Sequence, residues 1–393
     1  MRGAPMLESM TTIKNTIEQT IANTQSHLLQ QRHAGGFWTG RLSSSALATA
    51  TAVFALGSVN RRTYHNLIEG GLHWLKDNQN ADGGWGDTIK SRSNLATTLV
   101  SLSAFRVSDG SFTYNKAMAK AEAWIEHHVG SLDPKAIALA VDKACGHDAN
   151  VSTPILMMCA MAKRLGPRNT GWQYVKPLPF ERAVLPKQLA KLSRFGVASH
   201  LLPILIATGQ ARFHFKKPLS PAKRRLRKAC IPKTLKILTA LQLDNGSFLK
   251  AAHVTSFVVM GLAHSGMKNH QVVTKGAYFL VDSVRDDGSW PIDTNLATRI
   301  TTLSVNALTT ESADMTETLA STRDWLLTLQ HKQANVYTDA ASGAWACGDL
   351  SAAMPDGDTT AGALIALHRL SPEAPRSQSA AAKGIQWLLN LQN

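Results

Sequence analysis

The chain has 393 residues, of which 44% are apolar, and this composition is typical of a globular protein and argues against extensive disorder. Its length exceeds that of one ordinary hydrophobic core and predicts two domains. The 42 lysines and arginines outnumber the 27 acidic residues, and the resulting net charge of +15 favours an anionic partner such as a nucleic acid, a membrane surface or a phosphorylated substrate.

The four cysteines, Cys145, Cys159, Cys230 and Cys347, are scattered along the chain. Their spacing fits neither a metal site nor a disulfide framework, which predicts reduced thiols, a cytoplasmic location and no cofactor. The N-terminus lacks the apolar run of a signal peptide. The longest apolar run, 195–206, is too short to cross a membrane, but it is compatible with a monotopic protein that enters one leaflet.

Apolar residues recur at helical spacing through most of the chain. Strand-like alternation is rare, and turns that contain Gly, Asp and Asn separate the helical segments. The pattern therefore predicts an all-α protein. Examples of the helical segments are 46–56, 95–105, 155–162, 257–262 and 360–367.

A repeat stands above this helical background. Its fullest copy, 71–85, reads GLHWLKDNQNADGGW and has the order Gly, aromatic, Leu, Gln, Gly, Trp. We expect each copy to be a helix that ends near the Gln, followed by a glycine turn whose aromatic residue packs on the helix end. From the residues alone, these aromatics are predicted to be structural. Partial copies lie at 28–38, 238–248, 276–290, 325–345 and 384–392.

The repeat resembles the QW motif of squalene-hopene and oxidosqualene cyclases, which are class II terpene cyclases. The segments 142–156 and 172–186 also look like parts of that family, so the resemblance covers residues 24–393. It implies an α/α toroidal double barrel of the α6–α6 type, with the second barrel incomplete.

The resemblance also implies a division into domains. Residues 1–23 are then an N-terminal extension, and residues 24–45 are the first helix and turn of the catalytic barrel. Residues 46–310 form an inserted barrel, and residues 311–393 begin the catalytic barrel. Since the chain ends inside a repeat, we expect either a shortened chain or a homodimer or partner chain that completes the fold.

The segment 355–363, PDGDTTAGA, precedes the final helix pair, and by itself it is a good turn and helix N-cap. The cyclase family carries an Asp-x-Asp-Asp motif here, and the resemblance makes Asp358 the general acid and Asp356 the neighbour that orients it. Thr359 replaces the third acid and can hydrogen-bond either carboxyl group. Protonation of an alkene needs a strong acid in a dry pocket, where burial keeps the proton on a carboxyl group.

Aromatic faces stabilise a cation that moves along a polyene. The resemblance places Trp172 and Trp345 in the substrate cavity, although Trp345 can instead be the structural aromatic of its repeat. Arg299 stands where the family has an aromatic residue, and its guanidinium fits either a substrate diphosphate or a solvent-facing position. Cys347 also replaces an aromatic, so we predict an altered cavity.

The segment 212–228 holds eight lysines or arginines and follows the apolar run 195–206. It is predicted to be either a solvated loop or a surface that binds anionic membranes peripherally, as suits a protein with a lipid substrate. Nucleic-acid binding is not expected, because no recognition motif accompanies the charge.

The sequence thus favours an isomerase that cyclises a linear polyprenoid, squalene or a related isoprenoid, by protonation, as in hopanoid and triterpenoid biosynthesis. The alternatives are a truncated non-catalytic scaffold and a cyclase of a prenyl diphosphate. A protein prenyltransferase-like subunit is less favoured because it needs a zinc site, and Cys145, His147 and Asp148 have the wrong spacing for one.

Overall fold

The computed structural model describes residues 4–40, 42–108, 112–184, 201–294, 296–309, 315–335, 338, 340–349 and 353–392. Within these ranges the chain forms α-helices, short 3₁₀ turns and isolated β-bridges, and no strand is present. The all-α prediction is therefore confirmed. The number of helices in each predicted barrel, and whether the second barrel is complete, stay predictions.

The helices of the described ranges are numbered in chain order. They are α1 (Ala4–Gln30), α2 (Ala46–Asn60), α3 (His65–Asp77), α4 (Leu95–Ala104), α5 (Asn115–Val129), α6 (Pro134–Ala144), α7 (Ala149–Met161), α8 (Leu202–Phe215), α9 (Pro221–Leu241), α10 (Ala252–His264), α11 (Gln271–Asp282), α12 (Ala297–Leu308), α13 (Ala320–Leu329), α14 (Gly357–Leu370) and α15 (Pro375–Leu389).

The helix contacts divide the chain into two compact units. Unit 1 combines Met1–Arg41 with Asn295–Asn393, and unit 2 is Leu42–Thr294. Helix α1 runs without interruption through the boundary predicted between residues 23 and 24. Helix α12 packs against α14 within unit 1, whereas the sequence places residues 297–308 in the inserted domain. The complete domain assignment stays a prediction.

Unit 2 contains an inner row of apolar helices whose packing order is circular. Helix α2 packs against α4 and α10, α4 packs against α7, and α8 packs against both α7 and α10. All residues from Ala48 to Leu56 of α2 are buried, as is expected of a helix that is surrounded by other elements. Helices α3, α5 and α11 each bury one face against this row.

The repeat builds the same hydrogen-bonded turn in both units. In the copy at 71–85, the side-chain amide of Gln79 donates to Gly83 O and to Ala117 O, both at 2.8 Å. The indole N–H of Trp85 donates to Leu75 O at 2.8 Å, which ties the ring to the last turn of α3. These contacts are structural, as predicted. The corresponding side-chain bonds are made by Gln242, Gln330, Trp38, Trp290 and Trp345.

The glycine of this turn lets the following outer helix approach closely. Gly83 has a φ of +93°, a conformation that residues with a Cβ rarely adopt. A Cβ at this position would also lie 2.7 Å from Lys120 O on α5. The sequence pattern therefore requires glycine both for the backbone conformation and for the contact between helices.

A threonine on an inner helix completes each turn. The backbone N–H of Trp85 donates to Thr98 Oγ1 at 3.0 Å, and both groups are buried. The repeat pattern does not identify these threonines, although a Thr recurs near the start of each helix concerned. The same bond joins the pairs Trp38–Thr301, Phe248–Thr255, Trp290–Thr49 and Trp345–Thr360.

We predict that Thr98→Val destabilises the protein. Valine has nearly the same shape but accepts no hydrogen bond, so the buried N–H of Trp85 loses its partner, at a cost of about 1–3 kcal/mol. The free energy of unfolding, measured by urea denaturation with circular dichroism, tests this. Thr274→Val is the matched control because Thr274 is exposed on α11, and it should change the free energy by less than ~0.5 kcal/mol. Equal effects of the two substitutions would contradict the assigned role.

The aspartate of the turn links one repeat to the next. Asp82 accepts hydrogen bonds from Ser93 Oγ at 2.7 Å, Gly84 N–H at 3.0 Å and Trp124 Nε1 at 3.0 Å. Partial burial acts to raise the pKa of Asp82, but these hydrogen bonds outweigh it and lower the pKa below its ordinary value. Asp287 is bonded in the same way to the indole of Trp74, at 3.0 Å, and its pKa is also lowered.

This shift predicts a loss of stability in acid. Because the pKa of Asp82 is lower in the folded state, its stabilising contribution is present above the unfolded value of about 3.9 and is lost as the pH falls through the folded value. Asp82→Asn should therefore be less stable than wild type at pH 7, and the difference should shrink towards pH 3. Unfolding curves at both pH values measure it. Asp244→Asn, at an exposed site, is the control, and a difference for Asp82→Asn that is independent of pH would contradict the prediction.

The basic segment 212–228 lies on α8, α9 and their connection. Arg212 and Arg227 are buried, where Arg212 Nε donates to Val175 O at 2.7 Å and Arg227 Nε pairs with Glu181 at 3.0 Å. These two cations hold neighbouring segments in place, whereas the other lysines and arginines of the segment are exposed. Binding of that surface to an anionic membrane stays a prediction.

No helix within the described ranges is long and apolar enough to cross a membrane. Residues 185 and 186 of the family-like segment 172–186 lie outside the described residues, and so do residues 195–200 of the apolar run 195–206. The remaining part of that run belongs to the start of α8, where Ile204, Leu205 and Ile206 are buried in unit 2.

Candidate active site

The acid motif lies at the start of α14 in unit 1. Asp356 is the N-cap residue, with extended backbone angles (φ −135°, ψ 156°), and its carboxylate accepts a hydrogen bond from the Thr359 N–H at 2.7 Å. Such a bond satisfies one of the N–H groups that a helix N-terminus leaves unpaired. Asp356 therefore has the capping role that the residues alone predicted.

Two inner helices of unit 2 begin in the same way. Ser45 caps α2 by accepting from the Ala48 N–H at 3.2 Å, and Asn94 caps α4 by accepting from the Thr97 N–H at 2.9 Å. In each helix the threonine that binds a repeat aromatic follows the cap by four positions in the sequence. The start of α14 thus has the same arrangement as the starts of α2 and α4.

Comparison of α14 with α2 and α4 shows which residues of the acid motif have a structural role and which do not. Asp356 stands at the cap position, and Thr360, which accepts from the Trp345 N–H at 3.1 Å, stands at the threonine position. Asp358 lies where α2 and α4 carry Leu47 and Ala96. The repeated scaffold therefore does not require a carboxylate at residue 358, and this position is open to a chemical role.

Asp358 differs from the buried acid that the sequence led us to expect. Its side chain is 82% exposed. Helix α14 packs inward through Thr359 and Thr360, which are buried, and adjacent residues of a helix point in directions about 100° apart. The described residues therefore present the carboxyl group of Asp358 to solvent.

Arg299 lies beside Asp358. It is in the first turn of α12, which packs against α14, and its Nη2 atom is 3.7 Å from Asp358 Oδ2. The Arg299 side chain is 48% exposed. The structure thus brings a cation to the acid at the position where the family resemblance implies an aromatic residue.

The sequence suggested that the hydroxyl of Thr359 bonds a carboxyl group, but it does not. Its Oγ1 atom is buried and has no hydrogen-bond partner among the described residues, while its backbone N–H binds Asp356. The hydroxyl points inward because residue 359 is on the packed face of α14.

The two predicted cavity tryptophans lie in different units. Trp345 is fully buried in unit 1, where its indole donates to Leu326 O at 2.8 Å and its carbonyl accepts from the Asp356 N–H at 3.1 Å. Trp172 is 2% exposed in unit 2 and stacks on Phe215, with ring centroids 4.4 Å apart. Trp345 therefore has the structural role of its repeat and supports the acid motif. Substrate contact by either ring stays a prediction.

Within the described ranges no three His, Cys, Asp or Glu side chains are grouped so that they could hold a metal ion. His147 instead pairs with Asp142, with 3.0 Å between Nδ1 and Oδ2. Lys176 also pairs with Asp142, and hydrogen bonds from Lys176 and His147 lower the pKa of this carboxyl group to about 2. The segment around Cys145 is therefore held by ion pairs.

Residues 21–139 match the family model of the squalene-hopene cyclase N-terminal domain. This part of the chain is therefore similar to the squalene-hopene cyclase family. The matched part includes helices α2 to α5 and the fullest copy of the repeat, at 71–85. The family resemblance drawn from the repeat is therefore confirmed for this part of the chain. No curated protein sequence matches the chain.

Several solved structures align with the chain at low similarity. A variant of the type II terpene cyclase MstE from Scytonema, in complex with geranylgeranyl dihydroxybenzoate, is 14% identical over 96% of this chain and 80% of its own, with a TM-score of 0.22. The apo form of MstE gives 14% identity, coverage of 96% and 79%, and a TM-score of 0.21. A protein from Actinoplanes gives 14% identity, coverage of 71% and 84%, and a TM-score of 0.27.

We predict different effects on stability for the two aspartates. Asp356→Ala removes the helix cap and should lower the free energy of unfolding by about 0.5–2 kcal/mol, whereas Asp356→Asn keeps a capping oxygen and should cost little. Asp358→Ala removes a favourable charge in the first helical turn and an exposed ion pair with Arg299, each worth ~1 kcal/mol or less. Thermal and urea unfolding of the three variants measure these effects. A loss for Asp356→Asn equal to that for Asp356→Ala would contradict the capping role.

Proposed function

We propose that the chain catalyses the proton-initiated cyclisation of a linear polyprenoid, with Asp358 as the general acid. The observation that carries this proposal is the position of Asp358, where a carboxylate occupies a scaffold position that needs none, beside a cation on a neighbouring helix. The family match at residues 21–139 supports the choice of reaction class. Squalene is the first substrate to test.

The reaction begins when the carboxyl proton of Asp358 is added to a terminal alkene. The π electrons form the new C–H bond, and the adjacent carbon becomes a tertiary cation, which the next alkene of the chain attacks to close a ring. The final cation loses a proton or is captured by water. One carboxylate is left on the protein and is reprotonated from solvent before the next turnover.

Because Asp358 is exposed, the bound substrate itself must shield the carboxyl group from water. A hydrocarbon chain that lies over the carboxyl group expels water, so the proton passes to the alkene rather than to solvent. The substrate thereby supplies the cover that the described residues do not. Asp356 contributes by fixing the first turn of α14, and Trp345 contributes by binding Asp356 and Thr360 through its backbone.

We expect Asp358→Asn to abolish cyclisation. Asparagine has the same shape but holds no acidic proton, and loss of an essential acid typically lowers the rate by 10²–10⁴-fold, as an order of magnitude. The purified chain is incubated with squalene, and the extract is searched for cyclised hydrocarbons by gas chromatography and mass spectrometry. A parallel incubation with geranylgeranyl diphosphate tests the prenyl diphosphate alternative.

Two controls accompany that assay. Asp324→Asn changes another exposed carboxylate of unit 1 and should leave the product yield unchanged. Asp356→Asn keeps the helix cap but removes the second charge, so a large loss of product in this variant would show that Asp356 also acts in the chemistry. Cyclised product from Asp358→Asn at the wild-type rate would refute Asp358 as the acid.

A further inference from the structure

The pairing of Arg299 with Asp358 is held by the backbone of a short connecting segment. Cys347 O accepts from the Arg299 N–H at 3.1 Å, in the first turn of α12. Trp345 O accepts from the Asp356 N–H at 3.1 Å, at the cap of α14. The segment 345–347 thus bonds to the starts of the two helices that carry the two charged side chains.

We propose that Arg299 is the counter-ion that stabilises the Asp358 carboxylate as it forms during proton transfer, and that it is not a site for a substrate diphosphate. This assignment rests on the proposed function, because it needs Asp358 to be the acid. It makes Arg299 a positioning residue, which acts on the reaction through Asp358.

Arg299 would stabilise the transition state of the proton transfer more than the ground state. While it carries the proton, the carboxyl group of Asp358 interacts weakly with the guanidinium, whereas in the transition state it carries most of a negative charge. An interaction that is stronger in the transition state than in the ground state raises the rate of the chemical step. Water screens the pair while both side chains are exposed, but a bound hydrocarbon removes that water and strengthens the attraction.

The short distance also argues against a diphosphate at Arg299. A cyclisation that runs through a whole polyprenoid must start at the isoprene unit farthest from an anionic head group. If Arg299 bound the head group, Asp358 would lie 3.7 Å from that site and would face the first isoprene unit. The same molecule could not place its distal alkene at the acid, so the two roles exclude each other.

Kinetics provide the first test. Arg299→Gln should lower kcat by at least about tenfold, as expected for loss of a group that stabilises charge only in the transition state, while KM changes by less than about twofold. Arg299→Lys, which keeps the charge, should retain more of the wild-type kcat than Arg299→Gln. Arg323→Gln, at another arginine of unit 1, is the matched control. An unchanged kcat in Arg299→Gln, with unchanged thermal stability, would overturn the proposal.

A spectroscopic test decides the question even if no turnover is detected. The side-chain Nε–H signal of Arg299 is assigned in an NMR spectrum of ¹⁵N-arginine-labelled protein by its disappearance in Arg299→Gln. Asp358→Asn should shift this signal, whereas saturation with inorganic diphosphate should leave it in place. A signal that moves with the diphosphate but not with Asp358→Asn would assign Arg299 to the head group. Absence of any cyclised product, together with the expected shifts, would refute the reaction while preserving the ion pair.

Discussion

The hydrogen-bonded turn of the repeat is the interaction on which the described structure depends. One turn makes three different kinds of contact: the glutamine amide bonds its own turn and the next outer helix, the indole bonds the preceding helix, and the aromatic backbone N–H bonds an inner-helix threonine. Buried backbone groups at helix ends are costly when they lack partners. The repeat satisfies them with side chains, and it does so at each helix pair in which it is complete.

The candidate active site is built on this scaffold rather than added to it. Asp356 and Thr360 serve the same purposes as the cap and threonine of α2 and α4. Residue 358 has neither of these structural roles, so a carboxylate at this position has little effect on packing. A segment with the pattern of an ordinary capped helix can therefore also carry a proton donor. The structural interpretation applies to Asp356 and Thr360, and the chemical interpretation applies to Asp358.

Charge in this protein is divided between structural and exposed groups. Arg227 pairs with Glu181 in the interior and Arg212 bonds a backbone carbonyl there, while much of the remaining excess positive charge lies at the surface. Arg299 is partly exposed and faces a carboxylate on another helix. Its role therefore depends on what covers the pair, since the attraction is weak in water and strong beneath a hydrocarbon.

The helical class, the repeat, the turn glycines and the capping function of Asp356 can be predicted from the amino-acid sequence, because each of these follows from local spacing and local backbone preference. It also directed attention to Asp358 and to Arg299 as separate residues. The fold shows that these two residues meet, that Trp345 is enclosed by its repeat, and that Asp358 is exposed. Those facts depend on which faces of α12, α13 and α14 pack together, and such contacts between residues far apart in the chain leave no periodic signal in the sequence.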